Sequence, residues 1–304
     1  MATRVTAPAT AQGSQRIAPS APHLLGCDFS SSPSQRKPIV VAQGQAIAGQ
    51  VQLTGLQYFH SLDAWGQWLA QPLPPDQHWI GAFDLPFGLP RELVQTLGWP
   101  LQWHDCIAHY QSLTRAHIRD TFAAFCAARP AGSKLAHRAT DGPAGSSPSM
   151  KWVNPPVAYM LHAGLPYLLA ARWHLPGLHT GHPQRVALEG YPGLLAREVL
   201  GRRSYKSDNP IQQTPARQQA RAELLTALEQ GHTRLGLCLQ LTPEQRATLL
   251  ADGSGDRLDA VLCLLQAAWA STRHAAGDAL YGLPATLDPL EGWIITAPPP
   301  PCPV

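Results

Sequence analysis

Acidic residues end four separate apolar segments of this sequence. The acids are Asp28 after "LLGC", Asp84 after "IGAF", Glu189 after "RVAL", and Asp259 in the first turns of a helix that begins near Asp256. A carboxylate in apolar surroundings is costly unless it is paired, hydrogen-bonded or bound to a cation. Oxygen ligands without histidine or cysteine favour Mg²⁺ or Mn²⁺ over Zn²⁺. The four segments therefore predict a magnesium or manganese site.

The chemistry of such a site depends on how the strands are arranged. If the first, fourth and fifth strands are neighbours, three of the acids meet at one sheet edge and Asp259 joins them from the facing helix. Two divalent ions about 4 Å apart activate water and stabilise the leaving oxygen of a phosphodiester. We predict that Asp28 bridges the metals and that Asp84 and Asp259 complete the ligand set. Glu189 would bind a metal or orient the water, and Asp256 is a further candidate ligand.

Each acid also has a structural explanation. Asp28 and Asp84 could be turn residues at strand ends, where aspartate is favoured. Asp256 and Asp259 could form a helix N-cap and a capping-box acid, and this is the better interpretation for Asp256. Glu189 is harder to explain in this way, because glutamate is a poor turn residue and is depleted in strands.

The elements that would position these acids follow from hydrophobic periodicity. Strands are predicted at 23–30, 37–43 and 46–54, which suggest an antiparallel meander, then at 78–90 and 184–193, with a closing strand at 290–296. Helices are predicted at 61–73, between 91 and 130, at 156–172, 214–230 and 241–253, and from Asp256 onward. Residues 131–156 are rich in Gly, Ser and Pro and predict a long loop of the kind that is often functional.

Composition limits the function classes. The chain has 304 residues, of which 44% are apolar, and a net charge of +3. This charge is far below that of a protein that binds bulk nucleic acid, so any nucleic-acid contact should be local. The six cysteines form no C-x-x-C pair and predict a reduced, cytoplasmic protein. No apolar stretch reaches the length of a membrane span.

We expect one α/β domain over residues 23–297, with a mixed five-stranded sheet flanked by helices and an insertion at about 91–180. Residues 1–22 predict a disordered tail, with a transit peptide as the alternative. Residues 298–304 predict a proline-rich tail outside the fold.

Several segments together resemble an uncharacterised family of predicted nucleases with an RNase H-like fold. The segments are "GCDFSSSPSQRKPI", "FDLPFGLP", "HRATD", "NPPVAYMLHAG", "EGYPG", "GDRLDAVLCLLQAAWA" and "EGWI". The resemblance spans residues 23 to 297, and the predicted element order is also that of the RNase H-like fold. The family's acidic pattern falls on Asp28, Asp84, Glu189, Asp256 and Asp259. It implies a two-metal phosphodiester hydrolase acting on nucleic acid or a nucleotide.

Two other functions are compatible with the same pattern. One is a binding module of this fold that recognises nucleic acid or protein without catalysis. The other is an actin-like phosphotransferase, although "FSSSPSQ" is no glycine-rich phosphate loop and the chain shows no internal repeat. Metal binding would separate the nuclease from the inert module, and ATP binding would identify the phosphotransferase.

Basic residues supply candidate substrate contacts. Arg202, Arg203 and Lys206 follow Glu189 and could bind phosphate oxygens, or they could be a solvated helix terminus. Arg138, in "HRATD", could clamp substrate or form an internal ion pair with Asp141.

Histidines and cysteines give weaker candidates for a site. His174, His179 and His182 are best interpreted as surface-loop histidines, because a zinc site needs defined ligand spacing and a fourth ligand. Cys106 is best interpreted as a buried helix residue rather than as the partner of a catalytic histidine.

Overall fold

The computed structural model describes residues 21–299, which are built around one seven-stranded mixed sheet. In chain order the strands are β1 (His23–Asp28), β2 (Ile39–Ile47), β3 (Gln50–Phe59), β4 (Trp79–Phe83), β5 (Trp173–His174), β6 (His182–Glu189) and β7 (Cys238–Gln240). Across the sheet the order is β5-β6-β4-β1-β2-β3-β7. Strand β2 is antiparallel to β1 and β3, whereas the other neighbouring pairs are parallel.

Ten α-helices of the described chain surround this sheet. They are α1 (Leu62–Leu69), α2 (Arg91–Thr96), α3 (Trp103–Ser112), α4 (Arg115–Ala127), α5 (Asp141–Ala144), α6 (Val157–Ala170), α7 (Pro192–Leu200), α8 (Pro215–Glu229), α9 (Pro243–Ala251) and α10 (Asp256–Ala275). Their starts carry the expected signals: Ser61 caps α1, and Thr242 with Gln245 forms a capping box at α9. No helix between residues 21 and 299 combines the length and the apolar character needed to cross a membrane.

Strand alternation divides the core into two layers. Leu25 and Cys27 of β1 face a layer that includes α1, α3, α4 and α6. Leu24 faces the opposite layer, which is formed by α7, α8, α9 and α10. Because successive strand side chains point to opposite faces, each central strand contributes to both layers. Such two-sided burial accounts for the continuous apolar runs that identified β1 and β4 in the sequence.

The predicted antiparallel meander and the helices are confirmed, but the predicted number of five strands is wrong. Strands β5 and β7 are additional edge strands of two and three residues, which are too short to show a period. The predicted closing strand at 290–296 is also wrong. There the backbone forms one isolated bridge, between Glu189 and Ile294, and the amide of Ile294 donates to the Thr140 hydroxyl instead of to a strand.

The segment between β4 and β6 contains α2 to α6 and β5 and corresponds to the predicted insertion. Its predicted loop at 131–156 is irregular apart from the one-turn helix α5. Both predicted terminal tails lie outside the described residues, except for the few residues at their borders.

Candidate functional site

Three of the predicted acids lie at the carboxyl ends of adjacent strands. Asp28 is the last residue of β1, Asp84 directly follows β4, and Glu189 is the last residue of β6. Strands β1, β4 and β6 are parallel neighbours, as the metal-site prediction required. The amide of Asp84 donates to the Cys27 carbonyl at 2.8 Å, so the ends of β1 and β4 are joined beyond their last paired residues.

The sheet register separates Glu189 from the two aspartates. Glu189 is paired with Phe83, one residue before Asp84. A one-residue offset moves a side chain to the other face of a sheet. Glu189 therefore points to the α1–α6 side, whereas Asp28 and Asp84 continue the alternation toward α10.

Helix α10 brings Asp259 to the same side as Asp28 and Asp84. The helix lies directly on β1 because Gly26 has no side chain: a Cβ there would be 2.1 Å from the Ala260 carbonyl oxygen. Asp259 is fully buried, and its two oxygens accept hydrogen bonds from the Tyr205 hydroxyl and the Lys206 ammonium group. We call Asp28, Asp84 and Asp259 the carboxylate cluster.

Electrostatics within the carboxylate cluster are unfavourable. Burial, followed by the negative charge of Asp259, raises the pKa of Asp28 well above its ordinary value, and Lys206 offsets part of this effect. The same two causes raise the pKa of Asp84 to about 7. In the described part of the chain, neither the Asp28 nor the Asp84 carboxylate accepts a hydrogen bond. Asp28 and Asp84 therefore keep their protons to a higher pH than ordinary aspartates when no cation is bound.

Glu189 has a different environment, which we call the buried arginine network. The guanidinium group of Arg138 donates to both Glu189 oxygens, at 2.6 and 2.8 Å, and to Asp141 at 3.0 and 3.1 Å. The Phe87 amide also donates to Glu189 at 2.9 Å. Burial raises the pKa of Glu189, and Arg138 opposes that shift. Of the two alternatives for Arg138, the structure shows the internal ion pair.

Asp256 lies at the start of α10, in the region where the sequence favoured a cap. It is buried, and the Lys37 ammonium group lies 4.0 Å from its carboxylate. Burial raises its pKa, and Lys37 lowers it. Its side chain does not cap the helix, because the residue preceding α10 is Gly255 in the left-handed conformation, with no side-chain cap.

A cavity of about 880 Å³ opens at this edge of the sheet. Acidic and basic side chains share its lining. The acids are Asp28, Asp84, Glu189, Asp208 and Asp256, and the bases are Lys37, Arg115, Arg138, Arg197, Arg203 and Lys206. Such a mixture suits a ligand that carries both cations and phosphates.

The three basic residues predicted to bind substrate have different surroundings. Lys206 lines the cavity and bonds to Asp259; burial alone would lower its pKa, but Asp259, Tyr205 and Asp28 raise it well above the ordinary value. Arg203 lines the cavity but pairs with Glu223 at 2.6 Å. Arg202 is exposed and does not line the cavity.

Several residues of the site were not predicted from the sequence, among them Tyr205, Arg115 and Arg197. Tyr205 bonds to Asp259, and Arg115 and Arg197 line the cavity. Arg197 lies in the last turn of α7, four residues after the quoted "EGYPG" segment, so its proximity to Glu189 in the sequence was a usable signal. Arg115 had none, because it lies in the insertion and reaches the cavity only through tertiary contacts with Ser31 and Ser32.

The fit of the carboxylate cluster to a divalent cation is partial. Its carboxylate oxygens are the ligands that Mg²⁺ or Mn²⁺ prefers. Two of its three acids, Asp28 and Asp84, accept no hydrogen bond that would compete with a metal. In residues 21–299, however, no three His, Cys, Asp or Glu side chains already form a metal-binding group. Within the cluster, Lys206 and Tyr205 already occupy the oxygens of Asp259.

The histidine and cysteine candidates give no second site. His104 and His179 contact each other at 3.1 Å between ring nitrogens, so His104 is paired with a histidine and not with Cys106. Burial raises the pKa of Cys106 to about 11, which keeps it a thiol at neutral pH.

Comparisons of the chain with family models, with curated proteins and with solved structures find no match.

Proposed function

We propose that this protein is a metal-dependent phosphodiester hydrolase with an RNase H-like fold that acts on nucleic acid or a nucleotide. The observation that carries the proposal is the state of Asp28 and Asp84. Both carboxylates line the cavity and accept no hydrogen bond from the described residues, and burial, followed by the charge of Asp259, raises the pKa of each. Like charges at close range favour either a retained proton or a bound cation.

The strand order supports the fold part of the proposal. Across the sheet, the neighbouring strands β6-β4-β1-β2-β3 include β2 antiparallel to both of its neighbours. These are the five strands whose order along the chain suggested an RNase H-like domain. Strands β5 and β7 are then additions at the two edges. The ligand position at the carboxyl ends of parallel strands is the usual one for open α/β sheets.

Each residue of the carboxylate cluster has a proposed role. Asp28 and Asp84 would hold Mg²⁺ or Mn²⁺, and Asp259 would contribute an oxygen if the Lys206 ammonium group moves toward a substrate phosphate. When bound, such ions supply an activated water and stabilise the leaving oxygen of a phosphodiester. Glu189 is proposed as a positioning residue, because its oxygens are already occupied by Arg138 and Phe87.

One observation favours the non-catalytic binding module as a second candidate. The Lys206 ammonium group already supplies a positive charge at Asp259. If Lys206 stays there in the complex, the cavity would bind a phosphate-containing ligand without a metal and without hydrolysis.

The proposed location is the cytoplasm. The five cysteines in the described region, Cys27, Cys106, Cys126, Cys238 and Cys263, are all free. Free cysteines are usual in a reducing compartment, which supports this part of the proposal.

A hydrolysis assay with a chromogenic phosphodiester, bis(4-nitrophenyl) phosphate, tests the proposed activity. With Mn²⁺ or Mg²⁺ the wild-type protein should turn over this diester, and Asp28→Asn or Asp84→Asn should reduce the rate about 100-fold or more. Asp120→Asn is the matched control, since Asp120 is an exposed acid that pairs with Arg119 on α4. Equal rates with and without metal, or an active Asp28→Asn variant, would reject the proposal.

A further inference from the structure

Two arginine–tyrosine pairs line the cavity that Asp28 and Asp84 of the carboxylate cluster also line. Arg115 lies over the ring of Tyr159, and Arg197 lies over the ring of Tyr191, each with its guanidinium carbon 5.2 Å from the ring centroid. All four residues belong to the cavity wall.

The charge of these two arginines is not neutralised. Lys37, Arg138, Arg203 and Lys206 each pair with a carboxylate. Across residues 21–299, Arg115 and Arg197 form no ion pair with an acidic side chain. They are therefore the two lining cations best able to bind an added phosphate.

Both guanidinium groups are held in place by other bonds. Arg115 donates to the Ser31 carbonyl at 2.6 Å and to the Ser32 hydroxyl at 3.1 Å. Arg197 donates to the Ala144 carbonyl at 2.6 Å and to the Tyr191 hydroxyl at 3.2 Å. Because the groups are anchored in advance, less conformational entropy is lost when a ligand binds.

The anchors follow different strands of the sheet. Ser31 and Ser32 follow β1, whereas Tyr191 follows β6, which lies on the far side of β4. Strands separated by two spacings are about 10 Å apart. The two arginines are thus anchored beyond different strands of the sheet edge that carries the acids, so each can contact a different phosphate.

From this geometry we infer that the cavity takes a short single-stranded segment of nucleic acid, with one phosphate at Arg115, another at Arg197, and bases against Tyr159 and Tyr191. Binding of single strands combines a cationic groove with aromatic rings on which bases stack. A duplex would instead need an extended basic surface, whereas the net charge here is only +3. This inference rests on the proposed function, since it names the substrate class of the same cavity.

Fluorescence anisotropy with labelled oligonucleotides tests the inference. The full chain carrying Asp28→Asn, in EDTA, keeps the probes intact. The probes are single-stranded dT6 and U6, a 20-base-pair duplex and the mononucleotide dTMP as competitor. We expect dT6 or U6 to bind more tightly than the duplex and at least tenfold more tightly than dTMP, and the tighter of the two identifies DNA or RNA as the ligand.

Arginine variants connect the binding to the two pairs. Arg115→Ala and Arg197→Ala should each weaken single-strand binding about tenfold and should reduce the salt slope by about 0.7 per residue. Arg119→Ala, on the same helix as Arg115 but paired with Asp120 and outside the cavity lining, should leave binding unchanged. The inference is overturned if the duplex or dTMP binds as tightly as the single strand, or if the double variant Arg115→Ala/Arg197→Ala binds normally.

Turnover of bis(4-nitrophenyl) phosphate by the wild-type protein separates this inference from the proposed function. If this small diester is hydrolysed while single strands do not bind, the function stands and the inference fails. Arginine-dependent binding of single strands without any turnover would retain the inference and reject the hydrolase.

Discussion

The carboxylate cluster and the buried arginine network lie at the same edge of the sheet but in opposite electrostatic environments. In the network, Arg138 bonds to both oxygens of Glu189 and to Asp141, so buried negative charge is matched in place. In the cluster, three acids share one ammonium group and one hydroxyl. The network therefore has the full pairing expected of a structural ion pair, whereas Asp28 and Asp84 in the cluster have no bonded partner, and this is where we propose that a cation binds.

The contrast between Asp84 and Glu189 arises from a small difference in strand register. Asp84 directly follows β4 and Glu189 ends the neighbouring strand β6, yet the register places them one residue apart and on opposite faces. A shift of one residue therefore separates an acid that accepts no hydrogen bond from one that an arginine already holds.

The largest expected effect comes from breaking the network. Arg138→Met would leave Glu189 and Asp141 buried without their partner, and removing one member of a buried ion pair costs about 3–5 kcal/mol. Urea denaturation at pH 7 measures this loss. Arg203→Met is the control, and it should cause no measurable change because its ion pair with Glu223 is exposed. Equal stability of wild type and Arg138→Met would contradict the structural role of the network.

A smaller loss should follow from moving α10 away from the cluster. Gly26→Ala would place a methyl group against the backbone of Ala260 and Leu264, and overpacking of this kind costs about 1–3 kcal/mol. The displaced helix would carry Asp259 away from Asp28, so Mn²⁺ affinity should fall as well. Gly55→Ala on β3, where a Cβ meets nothing within 4 Å, is the matched control for both measurements. Normal metal affinity in Gly26→Ala would show that Asp259 is not needed.

A further effect is a pH dependence of the metal-free protein. Asp84 keeps its proton in the folded state up to about pH 7, whereas an unfolded aspartate loses it near pH 4. Between these values the folded state binds more protons, so the free energy of unfolding should decrease as pH rises. Denaturation in EDTA at several pH values should show a shallower decrease for Asp84→Asn. If the free energy of unfolding changed with pH equally in both proteins, folding would not raise the pKa of Asp84.

Much of the fold was predictable from the sequence because its signals are local. The meander, the caps of α1 and α9 and the strand-end positions of Asp28 and Asp84 follow from periodicity and turn chemistry. The edge strands β5 and β7 and the irregular segment at 290–296 could not be predicted from the sequence, because their pairing depends on tertiary contacts.

The site was predictable only in part. Convergence of Asp28, Asp84 and Asp259 was inferred from strand order, but the separation of Glu189 depends on register, which the sequence does not show. The pairing of Lys206 with Asp259 and the position of Arg115 also arise from long-range packing.

Calorimetric titration of the full chain with Mn²⁺ tests the central claim most directly. We expect the wild-type protein and Asp120→Asn to bind Mn²⁺ and Asp28→Asn/Asp84→Asn to show no binding, because the two free carboxylates are the proposed ligands. The account is contradicted if the wild type binds no Mn²⁺ at millimolar concentration, or if the double variant binds it as tightly as the wild type.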